Sequence, residues 1–176
     1  MSAPDARPSR NVARVMGSGP VIFGYDGSDL AEHSVREAGS LFGDKRALIV
    51  SVWEAGRAFE TASSPVRAFE TPAAPLEEDT AFEVDQANYD DANQLAERGA
   101  DIAREVGFEA DAVAVADNKT VADTLVRMAR EFDAQAIVVG AHSGGRIKDF
   151  FVGSTTRHVT ERAPCPVLVV HGSQLG

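Results

Sequence analysis

The sequence predicts one α/β domain, an open, parallel, five-stranded sheet with helices on both faces. Short apolar runs alternate along the chain with segments whose apolar residues recur every three or four positions, the spacing of one buried helical face. The apolar runs lack polar alternation, which is typical of parallel strands covered on both sides. Alternation of this kind with short connections favours a doubly wound sheet.

The five predicted strands differ in how clearly the sequence indicates them. The fourth is the clearest, because it is wholly apolar, mostly β-branched, and followed directly by Gly140. The sequence pattern of the third strand is weaker. The strands are expected at 21–25, 47–53, 110–115, 136–139 and 167–170.

Four helices are predicted between these strands from the three- and four-residue spacing of apolar side chains. Ser28 or Asp29 is expected to cap the first helix, and Thr120 the third. Gly107 is expected to end the second, since glycine readily adopts the conformation found after a helix. The helices are expected at 31–42, 84–106, 121–132 and 154–161.

Two segments lie outside this alternation. Residues 1–19 contain three arginines and two prolines but no apolar region of the kind an export signal requires, so a flexible tail is predicted. Residues 54–83 repeat Arg-Ala-Phe-Glu-Thr ten residues apart, and we interpret them as a loop inserted in a domain that spans 20–172. This loop is either mobile and of low complexity, or a lid or protein contact that hides its three phenylalanines.

Composition excludes several classes of protein. The chain has 17 Lys and Arg against 27 Asp and Glu, and its net charge of −10 opposes nucleic acid, whose binders carry clustered basic residues. The single cysteine, Cys165, rules out an internal disulfide and a cysteine-rich metal site. No run approaches the roughly 18 apolar residues that cross a bilayer. We therefore expect a cytoplasmic protein without nucleic-acid or membrane partners.

The candidate site follows from the predicted sheet, because ligands of doubly wound folds bind beyond the carboxyl ends of the strands, where the strand order reverses. Asp26 follows the first strand, and a glycine-rich segment, 140–153, follows the fourth. Glycines let a backbone approach phosphate closely. The helix that starts after Gly153 offers free amides and a dipole that favours anions. This pattern predicts a phosphate cradle.

These residues resemble the universal stress protein family, in particular its ATP-binding branch. That branch carries Gly-x2-Gly-x9-Gly-[Ser/Thr] after the fourth strand, and Gly140, Ser143 and Gly153-Ser154 occupy those positions, with serine at the second glycine. The turn at 26–28 and the closing segment 163–170 complete the likeness, which covers about residues 20–171. It implies an adenine-nucleotide α-hydrolase-like, Rossmann-like fold.

The resemblance also implies a site for ATP, with Mg²⁺ arriving on the nucleotide. Asp26 would contact the ribose or adenine, and Val52 would pack on the base; the alternatives are a helix-capping acid and a core valine. Ser154 and Thr156 would donate their hydroxyls to phosphate and Thr155 its amide; the alternative for Ser154 is a simple N-cap without a ligand. The implied phosphate side comprises Gly140, Ser143, Gly144, Gly153, Ser154, Thr155 and Thr156.

No catalytic constellation is recognisable, so any activity is at most slow ATP hydrolysis. His142 has no nucleophile spaced to it. Arg146 and Lys148 either neutralise phosphate or are simply solvated. No histidine or acidic cluster has metal-ligand spacing. The Gly-x4-Gly-Lys-[Ser/Thr] and His-x-Gly-His motifs are absent, which argues against a P-loop kinase and a nucleotidylyl transferase.

The sequence is therefore interpreted as an ATP-binding stress-response or signalling module. The alternative is a nucleotide-free protein-interaction module on the same fold, which the serine at position 143 supports. The apolar final strand, 167–170, would be an association hazard as an open edge. Family members commonly pair this strand across a two-fold axis, and the resemblance thus implies a homodimer.

Overall fold

A computed structural model describes residues 18–54, 78–117, 119–141 and 153–172. Strands and helices alternate along these residues as the sequence predicts. The elements are β1 (Val21–Gly24), α1 (Asp29–Phe42), β2 (Arg46–Glu54), α2 (Glu78–Glu105), β3 (Glu109–Asp117), α3 (Val121–Glu131), β4 (Ala136–Ala141), α4 (Ser154–Arg162) and β5 (Val167–His171).

The strands form one five-stranded sheet in the order β3-β2-β1-β4-β5. All four pairs of neighbouring strands are parallel, which confirms the predicted sheet. The strand order reverses at β1, which lies between β2 and β4. A crevice therefore opens beyond the carboxyl end of β1, the place where such folds bind ligands.

Alternate residues of β1 point into two separate apolar layers. Phe23 belongs to the layer under α1 and α2, where its ring meets Phe108 edge-on at a centroid distance of 5.4 Å. Ile22 belongs to the layer on the opposite face, with Leu125 of α3 and Val159 of α4. The sheet is thus covered on both faces, as its unbroken apolar strands predict.

The predicted helix boundaries at the caps are confirmed. The Ser28 Oγ accepts a hydrogen bond from the Ala31 N–H at 3.2 Å and caps α1. The Thr120 Oγ1 accepts one from the Asp123 N–H at 3.1 Å and caps α3. Gly107 follows α2 with a φ of +99°, a conformation that side chains rarely adopt.

The predicted insertion is wrong at both ends. Glu54 belongs to β2, and α2 begins at Glu78 rather than at residue 84. The first turn of α2 is polar, so apolar periodicity does not detect it, although its acidic residues favour a helix N-terminus. Residues 55–77 lie outside the described residues.

The predicted tail also ends earlier than expected. Ser18 donates from its backbone N–H and its hydroxyl to Asp133 Oδ2, at 3.0 and 3.1 Å. The Gly19 N–H donates to the Asp133 carbonyl at 2.8 Å, and the Gln135 amide donates to the Gly19 carbonyl at 2.6 Å. Ser18 and Gly19 are therefore part of the fold, while residues 1–17 lie outside the described ranges. No helix within those ranges has the length and apolarity to cross a membrane.

Helix α2 packs against the sheet through a glycine. A Cβ atom added to Gly99 would lie 2.8 Å from Ile49 Cγ2 and 3.0 Å from Tyr25 Cγ. Both neighbours are held in the core, with Ile49 fully buried and Tyr25 nearly so. The close approach of α2 to β1 and β2 therefore depends on the absence of a side chain at this position.

We expect Gly99→Ala to lower the free energy of unfolding by about 1–3 kcal/mol, the usual cost of overpacking a core. Urea denaturation measures this change. The matched control is Gly153→Ala, because a Cβ at Gly153 meets no atom within 4 Å and its φ of −56° suits any residue. A Gly99→Ala protein as stable as the wild type would contradict the packing.

Candidate functional site

A cavity of about 390 Å³ lies beyond the carboxyl ends of β1, β2 and β4. Its volume falls within the range of about 300–1,000 Å³ that is typical of small-molecule sites. The walls come from both helical layers, with residues of α1 and α2 on one side and of α3 and α4 on the other. The cavity therefore occupies the crevice at the reversal of strand order.

Every described residue that the sequence assigned to the site lines this cavity. Two predicted residues, Ser143 and Gly144, lie outside the described residues, as do His142, Arg146 and Lys148. The predicted residues in the lining are Asp26, Val52, Gly140, Gly153, Ser154, Thr155 and Thr156.

Asp26 lies in the tight turn that joins β1 to α1. Its Oδ1 accepts a hydrogen bond from the Ser28 N–H at 3.0 Å. Gly27 has a φ of +76°, a backbone conformation that favours glycine. The cap of α1 is therefore Ser28 and not Asp26. Asp26 stabilises the turn, and its exposed carboxylate lies at the cavity.

The start of α4 lacks the capping found at α1 and α3. Its N-cap is Gly153, with no side-chain hydrogen bond and no acidic residue in the first turn. The Arg157 N–H makes the first helical bond, to the Gly153 carbonyl at 3.0 Å. The preceding amides, at 154–156, are therefore uncapped by any described side chain and face the cavity with the positive end of the helix dipole.

Thr156 makes a contact that differs from its expected role. Its side chain is buried, and its hydroxyl donates to the Gly140 carbonyl at 3.0 Å. A hydroxyl has one proton to donate, so in this arrangement the proton is not offered to a ligand. The bond instead fixes the first turn of α4 to β4, because Gly140 lies within β4 rather than after it.

The backbone N–H and C=O of Val52 have no described hydrogen-bond partner on the side of β1. The last described backbone bond between these strands runs from the Tyr25 N–H to the Val50 carbonyl, at 2.9 Å. Alternate residues of a strand turn their backbone groups to the same side. The N–H and C=O of Val52 thus point past the end of β1 into the cavity, while its half-buried side chain packs beside Val50 and Val115.

Sequence reasoning missed the apolar walls of the cavity. Leu30 lies on the α1 side, and Val121 and Leu125 lie on the α3 side. Helical periodicity predicts that such residues are buried, but it does not tell a core contact from a cavity wall. The walls give the site two apolar faces on either side of a strip of backbone groups.

Tyr25 also lines the cavity and was not assigned to it. Its hydroxyl donates to Glu32 Oε1 at 3.5 Å. Burial raises the pKa of the Tyr25 phenol above its ordinary value, and the Glu32 carboxylate acts in the same direction. The phenol therefore remains a neutral donor throughout the physiological pH range.

We expect Thr156→Val to lower the free energy of unfolding by about 0.5–1.5 kcal/mol, because the Gly140 carbonyl loses its hydroxyl donor. Thr156→Ser keeps the hydroxyl and is the matched control. Guanidinium denaturation of the three proteins measures the difference. Equal stability of the valine and serine variants would show that the hydrogen bond contributes nothing.

A doubly wound sheet with a cavity of polar and apolar walls at its reversal point defines an α/β domain with a candidate ligand site. The model of the universal stress protein family matches residues 18–171 of this chain. The match covers nearly the whole sequence, so the chain belongs to that family.

Solved structures of other members share the fold. A universal stress protein from Archaeoglobus fulgidus has 23% sequence identity and a TM-score of 0.57, with 86% of this chain and 92% of that chain covered. The universal stress protein of that organism in complex with dAMP has 22% identity and a TM-score of 0.54, covering 88% and 98%. An Arabidopsis thaliana member with AMP bound has 14% identity and a TM-score of 0.55, covering 88% and 94%.

Proposed function

We propose that this protein binds ATP, with Mg²⁺ carried by the nucleotide, in the cavity beyond β1, β2 and β4. The observation that carries the proposal is the uncapped start of α4 at the wall of this cavity. Members of the same fold from Archaeoglobus fulgidus and Arabidopsis thaliana hold dAMP and AMP. The phosphates would lie on the amides of 154–156, and the base would lie at Val52.

Adenine fits the open backbone of Val52. An N–H and a C=O that face the same way offer one donor and one acceptor. Adenine presents the complementary pair, since its N1 accepts and its 6-amino group donates. Guanine presents the opposite pattern at these two positions, with a donor at N1 and an acceptor at O6. The apolar side chains of Val121 and Leu125 would cover one face of the base.

The ribose would lie between these two ends, above the turn at the end of β1. The exposed carboxylate of Asp26 accepts hydrogen bonds, and ribose hydroxyls donate them. Because Ser28 uses only one oxygen of this carboxylate, the other is available to a sugar. Asp26 is also the one charged residue in the described lining, so it belongs at the uncharged middle of the ligand rather than beside the phosphates.

Neutral groups would hold the phosphates. The net charge of −10 repels an anion at long range, and screening by salt confines that repulsion to about 10 Å at an ionic strength of about 0.1 M. Three backbone amides, the helix dipole and the exposed Ser154 hydroxyl act within that distance. Gly153 presents no side chain at the point where the phosphates would enter.

Calorimetric titration with ATP and Mg²⁺ tests the proposal. We expect saturable binding of ATP and weaker binding of GTP, because GTP does not match the donor and acceptor of Val52. The absence of heat and of a shift in melting temperature at millimolar ATP would contradict the proposal. It would leave the nucleotide-free interaction module as the function of the fold.

We expect Gly153→Leu to abolish ATP binding and to leave the fold intact. A Cβ at this position meets no atom of the described fold within 4 Å, and Gly153 lines the cavity, so we expect the leucine to occupy cavity space instead of displacing core residues. His158→Leu is the control, because it places the same side chain on the exposed part of the same helix. Unchanged affinity of the Gly153→Leu protein would place the phosphates elsewhere.

The biological role proposed for this binding is a cytoplasmic stress response or signalling step in which nucleotide occupancy is the signal. Membership in the universal stress protein family supports it. The described residues contain no cluster of histidine, cysteine and acidic side chains suited to a metal ion, so Mg²⁺ would enter with the phosphates.

A homodimer through β5 is part of the same proposal. β5 is an edge strand, and Val167, Leu168 and Val169 are only partly buried in the single chain. Sedimentation at micromolar concentration should give twice the chain mass of 18.7 kDa. Val169→Lys should give a monomer, while Val115→Lys on the opposite edge strand, β3, should not. A monomeric wild type would overturn the dimer.

A further inference from the structure

Leu95 is the residue through which α2 lines the cavity. Among the described residues of α2, those buried against the sheet are mostly small. They are Ala92, Ala96, Gly99, Ala100, Ile102 and Ala103. Leu95 is only half-buried, and it is the one residue of α2 in the described part of the cavity lining. Its large apolar side chain therefore lies at the wall of the cavity and is not enclosed in the core.

The position of α2 along the sheet places Leu95 just beyond the end of β1. Gly99 lies against Ile49 and Tyr25. Because α2 follows β2 and precedes the parallel strand β3, it runs antiparallel to both strands. Leu95 precedes Gly99 by four residues, which is about 6 Å along a helix and about two residues along a strand. Leu95 thus lies two residues beyond Tyr25, and its Cδ2 is 2.6 Å from the position that a Cβ on Gly27 would take.

Leu95 and the α3 wall of the cavity lie on opposite faces of the sheet. Val52 and Leu125 belong to the apolar layer under α3 and α4, whereas α2 packs on the other face. Leu30 is on the same face as Leu95 but lies over β4, where its Cγ is 2.7 Å from the position of a Cβ on Gly140. The part of the cavity next to β2 is therefore lined by Leu95 on the side of α2 and by Leu125 on the side of α3.

An adenine held by the backbone of Val52 would lie with its ring in the plane of the sheet. The N–H and C=O groups of a strand point within that plane, towards the position of a neighbouring strand. A base that pairs with both groups takes the place of that strand, so one of its faces turns to α3 and the other to α2. Val121 and Leu125 line the first side, and Leu95 lines the second.

We propose that Leu95 covers the second face of the bound adenine, so that the base lies between apolar side chains from α2 and α3. This inference rests on the proposed function and names the residue of α2 that takes part in it. Contact with the flat base removes from water the apolar surface that Leu95 exposes at the cavity, which favours the bound state. Leu95 thus contributes affinity for the base, while the backbone of Val52 selects adenine by its edge.

The test is NMR of the leucine methyl groups of the full chain during titration with ATP. Methyl protons that lie over the face of an aromatic ring move upfield because of the ring current. We expect the methyl signals of Leu95 and Leu125 to move upfield. Those of Leu41, which is 66% exposed and lies outside the described lining, should stay in place. Inorganic tripolyphosphate has no base and should leave the Leu95 signals unmoved. The Leu95 signals are assigned by their loss in Leu95→Met.

Calorimetry measures what the contact contributes to affinity. We expect Leu95→Ala to bind ATP about threefold to thirtyfold more weakly, because part of the base is left uncovered, and to bind adenosine more weakly by the same factor. Leu95→Met keeps an apolar side chain of similar volume and should retain most of the affinity. Ile102→Val is the control, because Ile102 is buried on the same helix but lies outside the described lining, and it should bind ATP as the wild type does.

The outcomes separate this inference from the proposed function. Absence of ATP binding to the wild type overturns both. ATP that shifts the Val52 amide but not the Leu95 methyl signals, or wild-type affinity in Leu95→Ala, overturns the role of Leu95 and leaves the ATP site in place. A loss of affinity for ATP without one for adenosine also overturns it, because the substitution would then act on the phosphates and not on the base.

Discussion

The early end of β1 is the constraint on which the rest of the structure depends. β1 stops at Gly24, because the chain turns at Asp26 and Gly27 into α1, whereas β2 continues to Glu54 and β4 to Ala141. The two longer strands therefore flank a gap in which the backbone of β2 has lost its partner. The gap becomes a cavity because helices close it on both faces. Glycine at position 27 favours the turn, since its positive φ is a conformation that other residues rarely adopt.

A second constraint is the placement of charge. The chain carries −10 overall, and the described lining of the cavity contains one charged residue, Asp26. In the proposed site, attraction for an anion would thus come from backbone amides and from the dipole of α4, whose first turn contains no acidic residue. At α3, by contrast, Thr120 and Asp123 already cap the helix and pair with each other. The uncapped start of α4 faces the cavity, next to the end of β4.

Much of the fold follows from the sequence, because burial on both faces of a parallel sheet imposes unbroken apolar strands and periodic helices. The same patterns predicted the caps at Ser28 and Thr120, where a single side chain meets a local backbone group. The start of α2 was missed, since its first turn is polar and has no apolar period. The ends of the predicted strands drew attention to Asp26 and Gly153, and the family resemblance drew attention to Val52, but neither showed which of their hydrogen-bonding groups are paired.

Those details depend on contacts between distant parts of the chain. The Thr156 hydroxyl is paired with Gly140, sixteen positions away, and no local pattern predicts that bond. The open backbone of Val52 depends on where β1 ends. Sequence patterns report what a residue is and how often it recurs. They do not report which hydrogen-bonding groups remain unpaired after the strands have assembled.

The central claim is that the uncapped start of α4 holds the phosphates of a nucleotide whose base lies at Val52. Backbone amide shifts measured by NMR during titration with ATP and with adenosine test it directly. The account predicts that both ligands shift the Val52 amide, and that only ATP shifts the amides of Ser154, Thr155 and Thr156. Equal shifts of these three amides with adenosine, or none with ATP, would contradict it.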